Sequence, residues 1–244
     1  MRSFTRRLVG GCELPGHRIL LARKSDIIGG IVKRSLSVSG TDEADSYLFQ
    51  SASSVVEFTA IEEEMAQLND FCVAFTESVE RKIDKLTAWP RDAANGKFEP
   101  REDDLFPITP EDIAFSADWQ IASWRDTYEF IAPSNCLLLL SCFTEKSLRW
   151  LCDQIGDGRE IKTRGARSKI TAYLIFLREN CELDFEEPTE SAVVREQCRE
   201  LRNYFAHGEW DECRRVVGDV SLPEAFGCVS RLFEAIESAY NESP

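Results

Sequence analysis

Arg202, Asn203 and His207 stand within one short run, Arg202-Asn-Tyr-Phe-Ala-His207, followed at once by Gly208. A guanidinium is a permanent cation with a planar fork of donors, an amide can orient a neighbour, and an imidazole can take or give a proton near neutral pH. The set holds no serine nucleophile, no metal cluster and no pair of carboxylates. It suits RNA cleavage without a metal, in which a ribose 2′-hydroxyl attacks the adjacent phosphorus. His207 would transfer the proton, Arg202 would hold the non-bridging oxygens as charge develops, and Asn203 would orient either. With only two His in 244 residues, a His in such company is a candidate for chemistry.

Turned as a helix at ~100° per residue, the segment has two faces. Val194, Cys198, Leu201, Tyr204 and Phe205 gather on one, which must meet a core. Relative to Leu201, Arg202 stands roughly 100° round, Arg195 about 120°, Ala206 about 140°, Arg199 about 160°, Asn203 about 200° and His207 about 240°. Arg202 and His207 thus flank a polar face with Asn203 between them, and the small Ala206 leaves room for approach. Gly208 is placed to end the helix.

The elements that must position this face read as helices. Phe58, Ile61, Met65, Leu68, Cys72, Phe75, Val79, Ile83 and Leu86 recur at three- and four-residue steps, which predicts one helix of about thirty residues. The stretch from Trp89 to Pro110, with Pro90, Pro100 and Pro107 among acidic residues, is expected to form a long loop. Thr109-Pro-Glu-Asp112 reads as a helix start for the stripe Ile113, Ala117, Ile121, Trp124, Tyr128 and Ile131. Pro133 and Ser134 are expected to open a new helix. Its first half, Cys136 to Phe143, is apolar nearly all round and should be enclosed by partners, whereas Glu145, Lys146, Arg149 and Asp153 make its second half polar. Further helices are expected around Ile170 to Cys181, from after Pro188 to His207, and from Ser221, where Ser221-Leu-Pro-Glu224 resembles a capping box, along the stripe Phe226, Val229, Phe233, Ile236 and Tyr240. No βαβ alternation, repeat or phosphate loop appears, so the fold class is an all-α bundle.

Arg202-Asn-Tyr-Phe-Ala-His207-Gly208, late in an all-helical chain, resembles the signature of the HEPN superfamily: an Arg, usually followed by a polar residue, then a His within four to six residues. The resemblance covers the helices from about 111 to 241. It implies an HEPN-like helical bundle with a long helical hairpin, preceded by an irregular N-terminal arm (residues 1–50) of no recognised family; residues 51–244 would be the HEPN-like domain. It also implies a metal-independent endoribonuclease, of the toxin or phage-defence kind, needing no cofactor. Two copies of the motif meet across a homodimer in that superfamily, which implies a site shared between subunits here and an antitoxin or defence-system partner protein. Arg202, Asn203 and His207 match residue by residue, and Glu145 is carried over from the earlier HEPN helix that often lends a polar group to the cleft. The Tyr that some HEPN toxins carry two residues after the His is Glu209 here, so regulation by nucleotide transfer to that position is not implied.

Charge bears on the partner. Asp and Glu number 43 against 29 Lys and Arg, a net charge of -14, which excludes a protein that coats nucleic acid through bulk charge. An acidic RNA enzyme needs a local basic strip, for which Arg195, Arg199, Lys146, Arg149, Arg164, Arg167 and Lys169 are the candidates. Two bland readings stand beside that one: Arg149 paired with Glu145 at i, i+4, and Lys162 to Lys169 as a merely solvated connection. Trp210 and Tyr204 could stack a base or pack, with packing favoured for Tyr204. The acidic stretch from Asp42 to Asp112 is expected to lie away from RNA.

The nine Cys are an odd number with no C-x-x-C pair, which argues against a zinc knuckle or redox pair and fits a reducing cytoplasm. The longest apolar run is far short of the ~20 residues of a membrane span. Only Leu8 and Val9 follow Arg6-Arg7 where an export signal needs an apolar stretch of roughly 7 to 15 residues, so no signal is expected. Two other functions fit the same residues: an HEPN-like module that grips a nucleotide or RNA end without cutting it, and a protein-interaction adaptor.

Overall fold

Along Val56–Ala94, helix α1, the residues Phe58, Ile61, Met65, Cys72, Val79 and Leu86 are buried in the expected register. The computed structural model describes residues 48–95, 108–162 and 165–243, all within one unit, Ser35–Pro244. Most of the expected N-terminal arm, residues 1–47 with Arg6, Arg7, Leu8 and Val9, lies outside the described residues, as does Arg164.

Helix α1 corrects the expected loop at Trp89. It passes through Trp89 and Pro90 to Ala94, giving 39 residues, or about 58 Å of rod. Pro90 falls in the last turns, where its missing N–H forfeits one hydrogen bond, and the buried Ala93 just beyond it keeps the end seated.

Helix α2 (Pro110–Asp126) starts as the sequence predicts. Thr109 Oγ1 accepts from the Asp112 backbone N–H at 3.2 Å, and Asp112 Oδ2 accepts from the Thr109 N–H at 2.9 Å. These bonds hold the Asp112 carboxyl below the usual carboxylate range. α2 packs along α1 as the second arm of a hairpin, with Tyr128 Oη just past its end donating to Glu80 Oε1 at 2.8 Å and Lys82 Nζ over the Trp124 ring.

No new helix opens at Pro133. The chain passes from α2 through a π-helical turn, Thr127–Ile131, into α3 (Ala132–Ile155) without a break. The Ala132 N–H reaches back five residues to the Thr127 carbonyl. This wide turn accommodates Pro133, whose ring would crowd the carbonyl four residues back in a regular helix. Ser134 Oγ and Asn135 Nδ2 donate to the carbonyls of Phe130 and Ile131, each at 2.7 Å.

Helix α3 is the axis of the bundle. Around it pack α1, α4 (Lys169–Glu179), α5 (Thr189–His207), α6 (Trp210–Gly218) and α7 (Leu222–Glu242). Leu137, Leu140, Leu148 and Leu151 of α3 meet Phe58, Ile61, Leu174, Leu177, Leu201, Phe233 and Ile236 in one core. The expectation that Cys136 to Phe143 is enclosed is corrected on one side, because Leu139 and Cys142 are exposed, with no helix among the described residues covering them. Among the described residues there is no strand, and the fold is all-α. Nor is any helix of theirs long and apolar enough to cross a membrane.

The core begins before residue 51. Phe49, 1% exposed, inserts between Phe58 and Phe233, and its backbone N–H donates to Ser230 Oγ at 2.9 Å. Buried Glu237 of α7 then takes four donors: Ser51 Oγ (2.6 Å), Ser53 Oγ (2.7 Å) and the N–H groups of Ala52 and Ser53 (both 3.1 Å). Burial works to raise this carboxyl, but the four donors prevail and hold it below its ordinary range.

Candidate active site

Helix α5 divides as its sequence requires. Cys198 and Leu201 are buried and Val194, Tyr204 and Phe205 pack partly buried on the core, while Arg202, Asn203, Ala206 and His207 are exposed. The helix stops in a Schellman motif. Gly208 takes φ 73°, its N–H donates to the Phe205 carbonyl at 3.3 Å, and the Glu209 N–H donates to the Tyr204 carbonyl at 2.9 Å. Glu209 (φ -83°, ψ 70°) then forms an inverse γ-turn in which the Trp210 N–H donates to the Gly208 carbonyl at 3.0 Å, and α6 starts at once. The position of His207 at the last turn is therefore fixed from both sides.

Arg202 Nη1 donates to Glu145 Oε2 at 3.2 Å, and Lys169 Nζ donates to Glu145 Oε1 at 3.0 Å. Three helices thus converge: α3 supplies the carboxylate, and α4 and α5 supply cations. The Glu145 side chain is 23% exposed and that of Arg202 58%, so the acid is the inner member and the guanidinium reaches outward over it. Asn203 and His207, one turn apart on the same exposed strip, make no side-chain hydrogen bond among the described residues. A fixed guanidinium beside an uncommitted amide and imidazole can bind an oxyanion and move a proton next to it.

The remaining basic candidates are matched by acids. Lys146 Nζ donates to Glu64 Oε1 at 2.7 Å, Arg149 lies 3.7 Å from Asp153, and Arg167 Nη2 donates to Glu196 Oε1 at 2.6 Å. Arg199 also holds Glu196, whose carboxyl it keeps below the usual range, with Arg167 and Arg195 adding to the effect. The i, i+4 pair of Glu145 with Arg149 does not form, because Glu145 turns to Lys169 and Arg202 and leaves Arg149 to Asp153. Arg195 differs from the others: 19% exposed, it grips Glu187 with two bonds of 2.9 and 3.1 Å and Thr171 Oγ1 at 2.9 Å, which ties α5 to α4. Its geometry is that of a strut.

Two features escape a reading of the motif alone. Lys169 completes the Glu145 cluster, which no local spacing announces. Beyond Gly208 lies an aromatic group: Trp210 meets Phe205 (centroids 5.2 Å, 85°) and Phe130 (6.2 Å, 82°) edge-on, and the Arg214 guanidinium sits 4.2 Å from the centre of Phe130 while bonded to Asp126. No local spacing announces it, because Phe130 comes from the turn between α2 and α3, far from Trp210 and Arg214 in the chain. The described Cys are all free, and most, including Cys72, Cys136, Cys152 and Cys198, are buried. Among the described residues, no group of three or more His, Cys, Asp and Glu side chains is placed to hold a metal ion.

Compared with family models, with curated proteins and with solved structures, the chain finds no match.

Proposed function

We propose that the chain is an HEPN-type, metal-independent endoribonuclease, an effector of the toxin or phage-defence kind acting in the cytoplasm. The observation that carries the reading is Arg202 anchored by Glu145 at 3.2 Å, on the same helix as Asn203 and His207, whose exposed side chains make no hydrogen bond among the described residues. In the proposed reaction the 2′-hydroxyl attacks the adjacent phosphorus and the bond to the 5′-oxygen breaks. The products are a 2′,3′-cyclic phosphate and a 5′-hydroxyl. One imidazole takes the proton of the nucleophile and a second protonates the leaving oxygen, while Arg202 carries the charge on the non-bridging oxygens. Each chain offers one His207, so the reading includes a homodimer whose twofold axis passes beside Ala206 and brings both copies to one phosphate. Lys146, Arg149, Arg167, Lys169 and Arg199 would contact RNA by exchanging carboxylate partners for phosphates, and Arg195 would keep α5 in place. An antitoxin or defence-system protein would restrain the enzyme.

The test is incubation of the pure protein with total RNA in EDTA, beside His207→Ala. Cleavage by the wild type alone, with cyclic phosphate ends, supports the reading; equal cleavage by both proteins, or none by either, removes it. One observation favours a second reading, a module that grips phosphate without cutting: Arg202 already has a carboxylate partner. That module would bind RNA in the same assay and leave its length unchanged.

A further inference from the structure

We propose that Trp210 is a stacking platform for an unpaired nucleobase, and that the RNA taken by the Arg202–Asn203–His207 site is therefore single-stranded. The inference rests on the reading of that site as one that holds RNA.

Trp210 follows His207 by three residues, so their Cα atoms are no more than about 11 Å apart. The intervening chain has no slack, since Gly208 is locked in the helix cap and Glu209 in the γ-turn. A base next to a phosphate held at His207 falls within reach of the indole. The ring is braced as well as placed, by its two edge-on contacts with Phe205 and Phe130, and Phe130 is in turn covered by Arg214. Even so, Trp210 is 49% exposed. An indole braced by two ring contacts and half exposed presents aromatic surface with little entropy left to lose, which suits stacking. In a duplex both faces of each base are already covered by neighbours, whereas bases of single strands and loops can be splayed onto aromatic rings.

The test measures binding, separately from cleavage. A fluorescein-labelled single-stranded 2′-O-methyl decamer, which lacks the attacking hydroxyl, is titrated with the wild type, Trp210→Leu and Trp210→Phe, beside a decamer of the same length whose sugars all lack bases. The wild type should bind the intact strand roughly 5- to 150-fold more tightly than the base-free one, the range that one stacked base supplies. Trp210→Leu should lose that preference while keeping its affinity for the base-free strand, and Trp210→Phe should keep most of it. Equal wild-type affinity for the two strands overturns the proposal without recourse to any variant, as does wild-type affinity of Trp210→Leu for the intact strand. Absence of RNA cleavage in the EDTA assay, with the base preference intact, removes the nuclease reading and leaves this one standing.

Discussion

The carboxylate of Glu145 meets the guanidinium of Arg202 at 3.2 Å although 57 residues separate them in the chain. The pair joins the central helix to the helix that carries His207. It fixes where the cation of the site stands, since Glu145 is the less exposed partner and is gripped from its other oxygen by Lys169.

Under the proposed nuclease reading, Glu145→Gln should lower RNA cleavage by up to about 100-fold, the cost of a reacting group misplaced by an ångström. Stability should change by no more than about 1 kcal/mol, because the pair is partly exposed. Steady-state cleavage set against thermal melting distinguishes the two effects. A variant as active as the wild type would mean that Arg202 needs no anchor.

Ala206 is exposed beside Asn203 and His207. If the chain is the proposed homodimeric nuclease, Ala206→Trp should leave the melting temperature of the monomer nearly unchanged and abolish both dimerisation and cleavage. Sedimentation at assay concentration reads the first, and an active monomer would rule out a shared site.

Glu237 supplies a pH-dependent contribution. Its folded pKa lies below the unfolded one, so the stability it provides is present above the unfolded value, near 4.3. That contribution is lost as the pH falls through the folded value. Glu237→Gln should destabilise the protein by about 1–3 kcal/mol at pH 7, and the difference from wild type should shrink on acidification below about pH 4. Denaturant midpoints across that range provide the measurement; a pH-independent difference would contradict the assignment.

Gly208 is held at φ 73°, and although a Cβ there would meet nothing within 4 Å, the backbone conformation itself disfavours other residues. Gly208→Ala should cost about 1–2 kcal/mol and Gly208→Asn less, since Asn tolerates this conformation. Denaturant unfolding of both variants gives the comparison.

The helical frame was legible because burial repeats at helical steps: Phe58 to Leu86 and the two faces of the His207 helix lie where their periodicity puts them. The prolines misled for one physical reason. A proline removes a single hydrogen bond and crowds a single carbonyl, and the surroundings decide whether the helix absorbs that; near Pro90 a seated Ala93 does so, and near Pro133 a widened turn does. Arg202, Asn203 and His207 could be placed on one face from their spacing alone. The convergence of Glu145 and Lys169 on Arg202 is a matter of how three helices pack, which no local pattern encodes, and the same holds for the ring of Phe130 beneath Arg214.

The widened turn at Thr127–Ile131 also sets an angle. Its residues wind by less than those of an α-helix, so relative to a regular helix of the same sequence the side chains beyond it are rotated by about 100° about the axis. The Pro110–Asp126 arm can therefore turn Ile113 and Ala117 toward its hairpin partner while the continuing rod turns Leu137 and Leu140 into the bundle. Removing one residue from this turn would let a regular α-turn take its place with the azimuth of the arm nearly unchanged, and would leave Pro133 without the widened turn that accommodates it. The extra residue is thus a matter of register: it decides which side chains of the two rods face their partners, while the rods themselves keep their course.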